Sequence, residues 1–266
     1  MPSPGAAAAP TPSPPGDAAP DATRKSGWTT VWNVVLGLDL VYLAVLSLLS
    51  LVAGAFLLFA PGSDFSVDYN NRLTHVQAAD VWGTAALNLT LFGGIPLLWV
   101  LGTRVKPIEG TRKFLHLQDF GRSIRRGALT GLGLVGGVLG LAALYVGVLV
   151  LLHQPVPSDS DPATAALLRQ LSWPLVVVLA VGAGVGEEIL FRGLLQRWVG
   201  LWGQAILFGL AHARGGSPVH VAATFAIGFL FGWLLRRGWS LWALMAAHAT
   251  YDFVLLAYAL AGRHAS

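Results

Sequence analysis

Apolar residues in this chain run in long unbroken blocks, and polar residues collect in the short intervals between them. Blocks of about 20 residues match a hydrocarbon core about 30 Å thick, since a helix rises about 1.5 Å per residue. The pattern predicts membrane spans near 33–59, 81–101, 128–152, 173–197, 200–213, 218–235 and 239–261. The fifth is short and bounded by Gly203 and the Arg214-Gly215-Gly216-Ser217-Pro218 turn; without it the count falls to six. The expected fold is an all-α polytopic transmembrane helical bundle of about seven spans. Residues 27–261 form its membrane-embedded domain, and 262–266 a short tail.

Composition sharpens this reading. Only 11% of the 266 residues are charged, against 55% hydrophobic, whereas soluble domains average about 25% charged. Residues 1–26 are rich in Pro and Ala and carry too little apolar surface to offset the entropy of ordering, so they read as a disordered tail. Their uncharged start is unlike a signal peptide, and the first span is expected to act as a retained signal anchor. The chain has no Cys, which removes disulfides, thiolate ligands and a Cys nucleophile.

Basic residues set the expected orientation. Arg104, Lys106, Arg112, Lys113, Arg122, Arg125 and Arg126 follow the second span, so that loop is expected to be cytoplasmic. Arg24-Lys25, Arg192/Arg197 and Arg236-Arg237 then fall on the same side, with the N-terminus inside and the C-terminus outside. These loops suit anionic lipid headgroups rather than nucleic acid. Seven tryptophans, among them Trp28, Trp173, Trp198 and Trp202, lie near span ends as an aromatic belt.

Against this background the polar residues inside spans carry the information, because an ionisable group at mid-helix costs roughly 2.5–3.5 kcal/mol by insertion scales. Glu187 and Glu188 lie within the fourth span, His212 closes the fifth, and His248 and Asp252 lie in the last. Positions four apart share a helix face. Glu188 can therefore meet Arg192, and His248 and Asp252 project together. Rise per residue puts Glu187 about 9 Å from the cytoplasmic edge, His248 about 14 Å and His212 about 18 Å, so the three can meet in the inner half of the bilayer.

Two carboxylates and two imidazoles support hydrolysis in two ways. A carboxylate can act as general base towards water while neighbouring donors hold the oxyanion. Alternatively, Glu187, His212, His248 and Asp252 could ligate a zinc that activates the water. Spacing leaves both open, with either a zinc cofactor or none.

At these residues the chain resembles the CPBP family of intramembrane proteases, which includes CAAX prenyl endopeptidases and bacteriocin-processing and immunity homologues. Glu187-Glu188-Ile189-Leu190-Phe191-Arg192 matches Glu-Glu-x-x-x-Arg, and Phe208-Gly209-Leu210-Ala211-His212 matches Phe-x-x-x-His. His248-Ala249-Thr250-Tyr251-Asp252 matches His-x-x-x-Asn/Asp, so the resemblance covers about residues 170–255. It implies an endopeptidase acting on a membrane-associated protein or peptide. Glu187 and His212 would activate water, His248 and Asp252 would hold the oxyanion or a metal, and Glu188 and Arg192 would orient the site. Prenyl-processing members usually carry Asn where this chain has Asp252.

Two other readings use the same residues. In a proton- or ion-coupled transporter, Glu187, His212 and His248 would form a relay. In a catalytically silent immunity or scaffold homologue they would bind a partner without turnover. Elsewhere, Asp39 and Asn88 are expected to make buried interhelical contacts, and His220 to lie at the membrane interface. The glycines of the third span (Gly131, Gly133, Gly136, Gly137, Gly140, Gly147) are expected to let helices approach closely. The Gly182–Gly186 run should do the same beside Glu187.

Overall fold

The computed structural model describes residues 27–59, 75–104, 106–156, 162–213 and 218–263, with a few positions between 63 and 72. The tail 1–26, Asp64, Asp159, Asp161 and the 214–217 turn lie outside these. Every regular element among the described residues is helical, as a lipid environment requires, because a helix satisfies its backbone groups within itself.

We number them α1 (Gly27–Phe59), α2 (78–103), α3 (Pro107–Phe114), α4 (Phe120–Leu151), α5 (Pro162–Gln170), α6 (173–199), α7 (201–211), α8 (Pro218–Arg236) and α9 (Leu241–Arg263). Six stretches are long and apolar enough to cross a membrane: Gly27–Ala53, Ala78–Thr103, Phe120–Leu151, Trp173–Ala211, Val219–Arg236 and Leu241–Gly262. The protein is thus an all-α, multi-pass membrane bundle.

The expected fifth span is the correction. The 173–211 stretch is broken at Gly200, whose φ of 72° and ψ of −177° suit glycine alone. There the chain folds back on itself, and α7 returns along α6. Phe191 of α6 meets Phe208 of α7 edge-on, centroids 5.0 Å apart, and Glu187 lies opposite His212. With 11 residues α7 reaches only about 16 Å, too short to cross the core.

Two segments are wound as π-helix, Leu89–Gly94 in α2 and Glu188–Leu195 in α6. The first precedes Pro96, which has no N–H to continue an α-helical ladder. The second has no comparable signal. The segments pack on each other, with Phe92 and Phe191 stacked at 6.2 Å and Gly93 against Gly186.

The central apolar cluster joins Leu36 of α1, Val100 of α2, Leu194 of α6, Phe231 of α8 and Leu244 of α9. Glycine lets α9 nest against two helices. A Cβ at Gly127 or Gly131 would meet the carbonyl oxygens of Ala243 or Ala247, and one at Gly184 would meet the backbone of Ala249. By contrast Gly133, Gly136, Gly137, Gly140 and Gly147 have nothing within 4 Å, so only Gly131 of the expected set packs within the bundle. At the end of α9, the carbonyl of His116 accepts the Ser240 hydroxyl and the Leu241 N–H, tying the α3–α4 turn down.

Candidate active site

The bend at Gly200 sets the geometry. Glu187 and His212 stand 13 and 12 residues either side of it, so both lie about 18–20 Å from the bend. The close contact of Gly184 with Ala249 then brings His248 alongside.

Glu188 is fully buried. Its Oε1 accepts from Arg192 Nη1 and from His248 Nδ1, each at 2.9 Å. The Arg192 guanidinium, also buried, sits 4.2 Å over the Phe208 ring and near Phe231 and Phe191. Arg192 Nη2 reaches the Gly228 carbonyl at 3.5 Å, and Gln204 Nε2 donates to the same oxygen at 2.9 Å. These partners offset part of the pair's desolvation, while Glu188 Oε2 and Arg192 Nε have no hydrogen-bond partner among the described residues.

Glu187 turns the other way. Its Oε2 lies 3.8 Å from His212 Nε2 and 3.9 Å from His248 Nε2, and no group among the described residues hydrogen-bonds it. His248 Nε2 is 3.4 Å from Asp252 Oδ2. Because the Phe208 carbonyl can only accept, His212 must donate to it from Nδ1, at 2.8 Å. A neutral His212 then presents a bare Nε2 lone pair to the space beside Glu187. A water there would complete Glu187 Oε2 and the His212 Nε2 lone pair.

The donor spacing is wider than a zinc requires. Tetrahedral zinc with bonds of about 2.0–2.1 Å would need donors about 3.3 Å apart, tighter than the 3.8 and 3.9 Å around Glu187. Among the described residues no group of three or more His, Cys, Asp or Glu side chains is arranged to hold a metal ion. The metalloprotease reading is not supported.

Residues 169–254 match the family described as type II CAAX prenyl endopeptidase Rce1-like. This part of the chain is similar to that family. The matched region contains all three motifs, α6 to α8, and α9 as far as Val254. The chain is also 35% identical over 98 residues to an uncharacterized protein, YpbD, of Bacillus subtilis, a match covering 36% of this chain and 51% of that protein. The matched part spans about half the length of this relative. No solved structure matches the chain.

Other expectations fare unevenly. Asp39 is buried, but neither carboxylate oxygen has a hydrogen-bond partner, so the anticipated interhelical contact is not made. Asn88 is exposed rather than buried. His220 is exposed at the start of α8, its ring centroid 6.1 Å from that of His212. Sequence reasoning did not find Phe231, Gln204 or the Gly228 carbonyl. The rings carry no polar signal, and a backbone carbonyl becomes specific only once α8 is placed.

Proposed function

We propose that this chain is an intramembrane endopeptidase that hydrolyses peptide bonds of a membrane-associated protein or peptide. The observation that carries the reading is Glu187 Oε2, unpaired and facing two imidazole Nε2 atoms at 3.8 and 3.9 Å. A water between Glu187 and His212 would donate one hydrogen to each, turning its lone pair towards a substrate carbonyl carbon. As its oxygen bonds to that carbon, Glu187 takes the proton. The oxyanion is received by Nε2–H of His248 in its imidazolium form, held by Glu188 and oriented by Asp252. Collapse of the tetrahedral intermediate breaks the C–N bond, and Glu187 returns its proton to the leaving amine.

Asp252 stands where an Asn could donate directly to the oxyanion, so here the donor role passes to His248, whose positive charge Asp252 Oδ2 balances from 3.4 Å. Glu188 and Arg192 position the imidazole rather than touch substrate. The exposed basic residues Lys106, Arg112, Lys113, Arg122 and Arg125 would hold anionic headgroups.

The test is cleavage of a peptide library by protein reconstituted in liposomes, with Glu187→Gln alongside. The variant should keep the native melting profile and lose turnover by at least about a hundredfold, the scale of a general-base contribution. Equal cleavage by the variant would remove Glu187 from the mechanism. Cation-gradient-driven flux without cleavage would favour the carrier reading.

A further inference from the structure

Hydrolysis inside a membrane consumes water that lipid does not supply, and a cleft among the described residues reaches Glu187. It lies between α2 and α6 and is lined by Ala85, Asn88, Gly182, Ala183 and Glu187, among others. It is partly open, and its volume is about 50 Å³. That admits one or two waters, each of which occupies about 30 Å³ in the liquid, but not a large side chain.

Helices α2 and α6 run parallel here, Val81 clustering with Leu175 and Val176 and Gly93 meeting Gly186. Asn88 therefore sits level with Gly182, about 7 Å nearer the start of α6 than Glu187 is. Gly182 leaves the wall open, since a Cβ there would meet nothing within 4 Å. Asn88 is exposed at the mouth. A carboxamide in mid-span has four hydrogen-bonding sites that hydrocarbon cannot serve. With the Glu187 carboxylate at the other end, the cleft has the two polar ends that hold a water in an otherwise apolar slot.

We infer that the α2–α6 cleft is the water route to Glu187, and that Asn88 is the residue that keeps it wet. The inference deepens the hydrolytic reading and rests on it for its consequence, though not for its first test. The chain has no Cys, so a single introduced thiol reports on its own site. In the full-length protein in liposomes, Asn88→Cys and Gly182→Cys should react with a small hydrophilic thiol reagent at least tenfold faster than Leu87→Cys. Leu87 is exposed at nearly the same depth but does not line the cleft. Equal, slow labelling at all three positions would show a dry cleft and overturn the inference, whether or not the protein cleaves peptides.

The second test concerns Asn88 itself. Asn88→Leu should lower kcat about three- to tenfold, the weight of one hydrogen bond, with KM unchanged, and Asn88→Gln should restore most of it. A rise in KM at constant kcat would instead make Asn88 a substrate contact and overturn the water role. If the unaltered protein cleaves nothing, the labelling still decides the cleft, and it is the proteolytic reading that fails.

Discussion

Adding one methyl group at Gly184 tests whether the contact between α6 and α9 tunes the site. A Cβ there would lie 2.7 Å from the Ala249 nitrogen and 2.9 Å from its Cα, where ordinary contact begins at 3.4 Å. Both obstacles are backbone, so relief requires the helices to part by about 0.7 Å, at an overpacking cost of about 1–3 kcal/mol. Gly184 is one turn before Glu188, and Ala249 adjoins His248. The same displacement would stretch the 2.9 Å bond from His248 Nδ1 to Glu188 Oε1 to about 3.6 Å, beyond a hydrogen bond. Hydrogen bonds to charged groups are worth about 1.5–3 kcal/mol. If that orientation matters in the transition state, kcat for Gly184→Ala should fall about ten- to hundredfold, at 1.36 kcal/mol per factor of ten. The assay is cleavage in liposomes together with the ¹⁵N resonance of His248 Nδ1. Gly136→Ala, at a position with nothing within 4 Å, is the control and should change neither. Full activity and an unmoved resonance in Gly184→Ala would refute the link between helix spacing and imidazole placement.

Three further outcomes follow from the fold. Arg192→Met should destabilise the protein by about 3–5 kcal/mol in denaturant titration, because it strands Glu188; a second change, Glu188→Leu, should recover part of that loss. Gly200→Ala should cost about 1–3 kcal/mol, since φ of 72° with ψ of −177° strains an L-residue; an unchanged melting temperature would argue against the bend. His116, in the turn between α3 and α4, has its pKa lowered by burial and by the nearby Arg197 charge. Its folded-state pKa is depressed, so below about 6.5 the unfolded chain binds more protons and stability falls as pH drops. His116→Gln should flatten that acid limb of the melting curve.

The spans were legible because lipid demands long apolar runs, and the motifs because ionisable residues inside those runs have few structural excuses. Glu188 with Arg192 and His248 with Asp252 could be paired by the four-residue rule alone. The α7 reversal was half legible: its short length was plain, but Gly200 resembles any other glycine until its φ is known. The π-wound turn at Glu188–Leu195 left no trace, since local propensity does not distinguish one extra residue per turn. Asn88 is polar and mid-span, which suggests burial, yet it is exposed, because periodicity does not say which face of a helix meets a neighbour.

The fold at Gly200 also acts as a calliper. Its two arms, 13 and 12 residues long, carry Glu187 and His212 at their tips, so a single inserted or deleted residue in one arm slides its tip by about 1.5 Å and swings it by about 100°. Side chains along the arms can vary in size and still leave the tips opposed, whereas arm length has almost no latitude. Drift in this stretch should therefore proceed by replacement and hardly ever by gain or loss of residues.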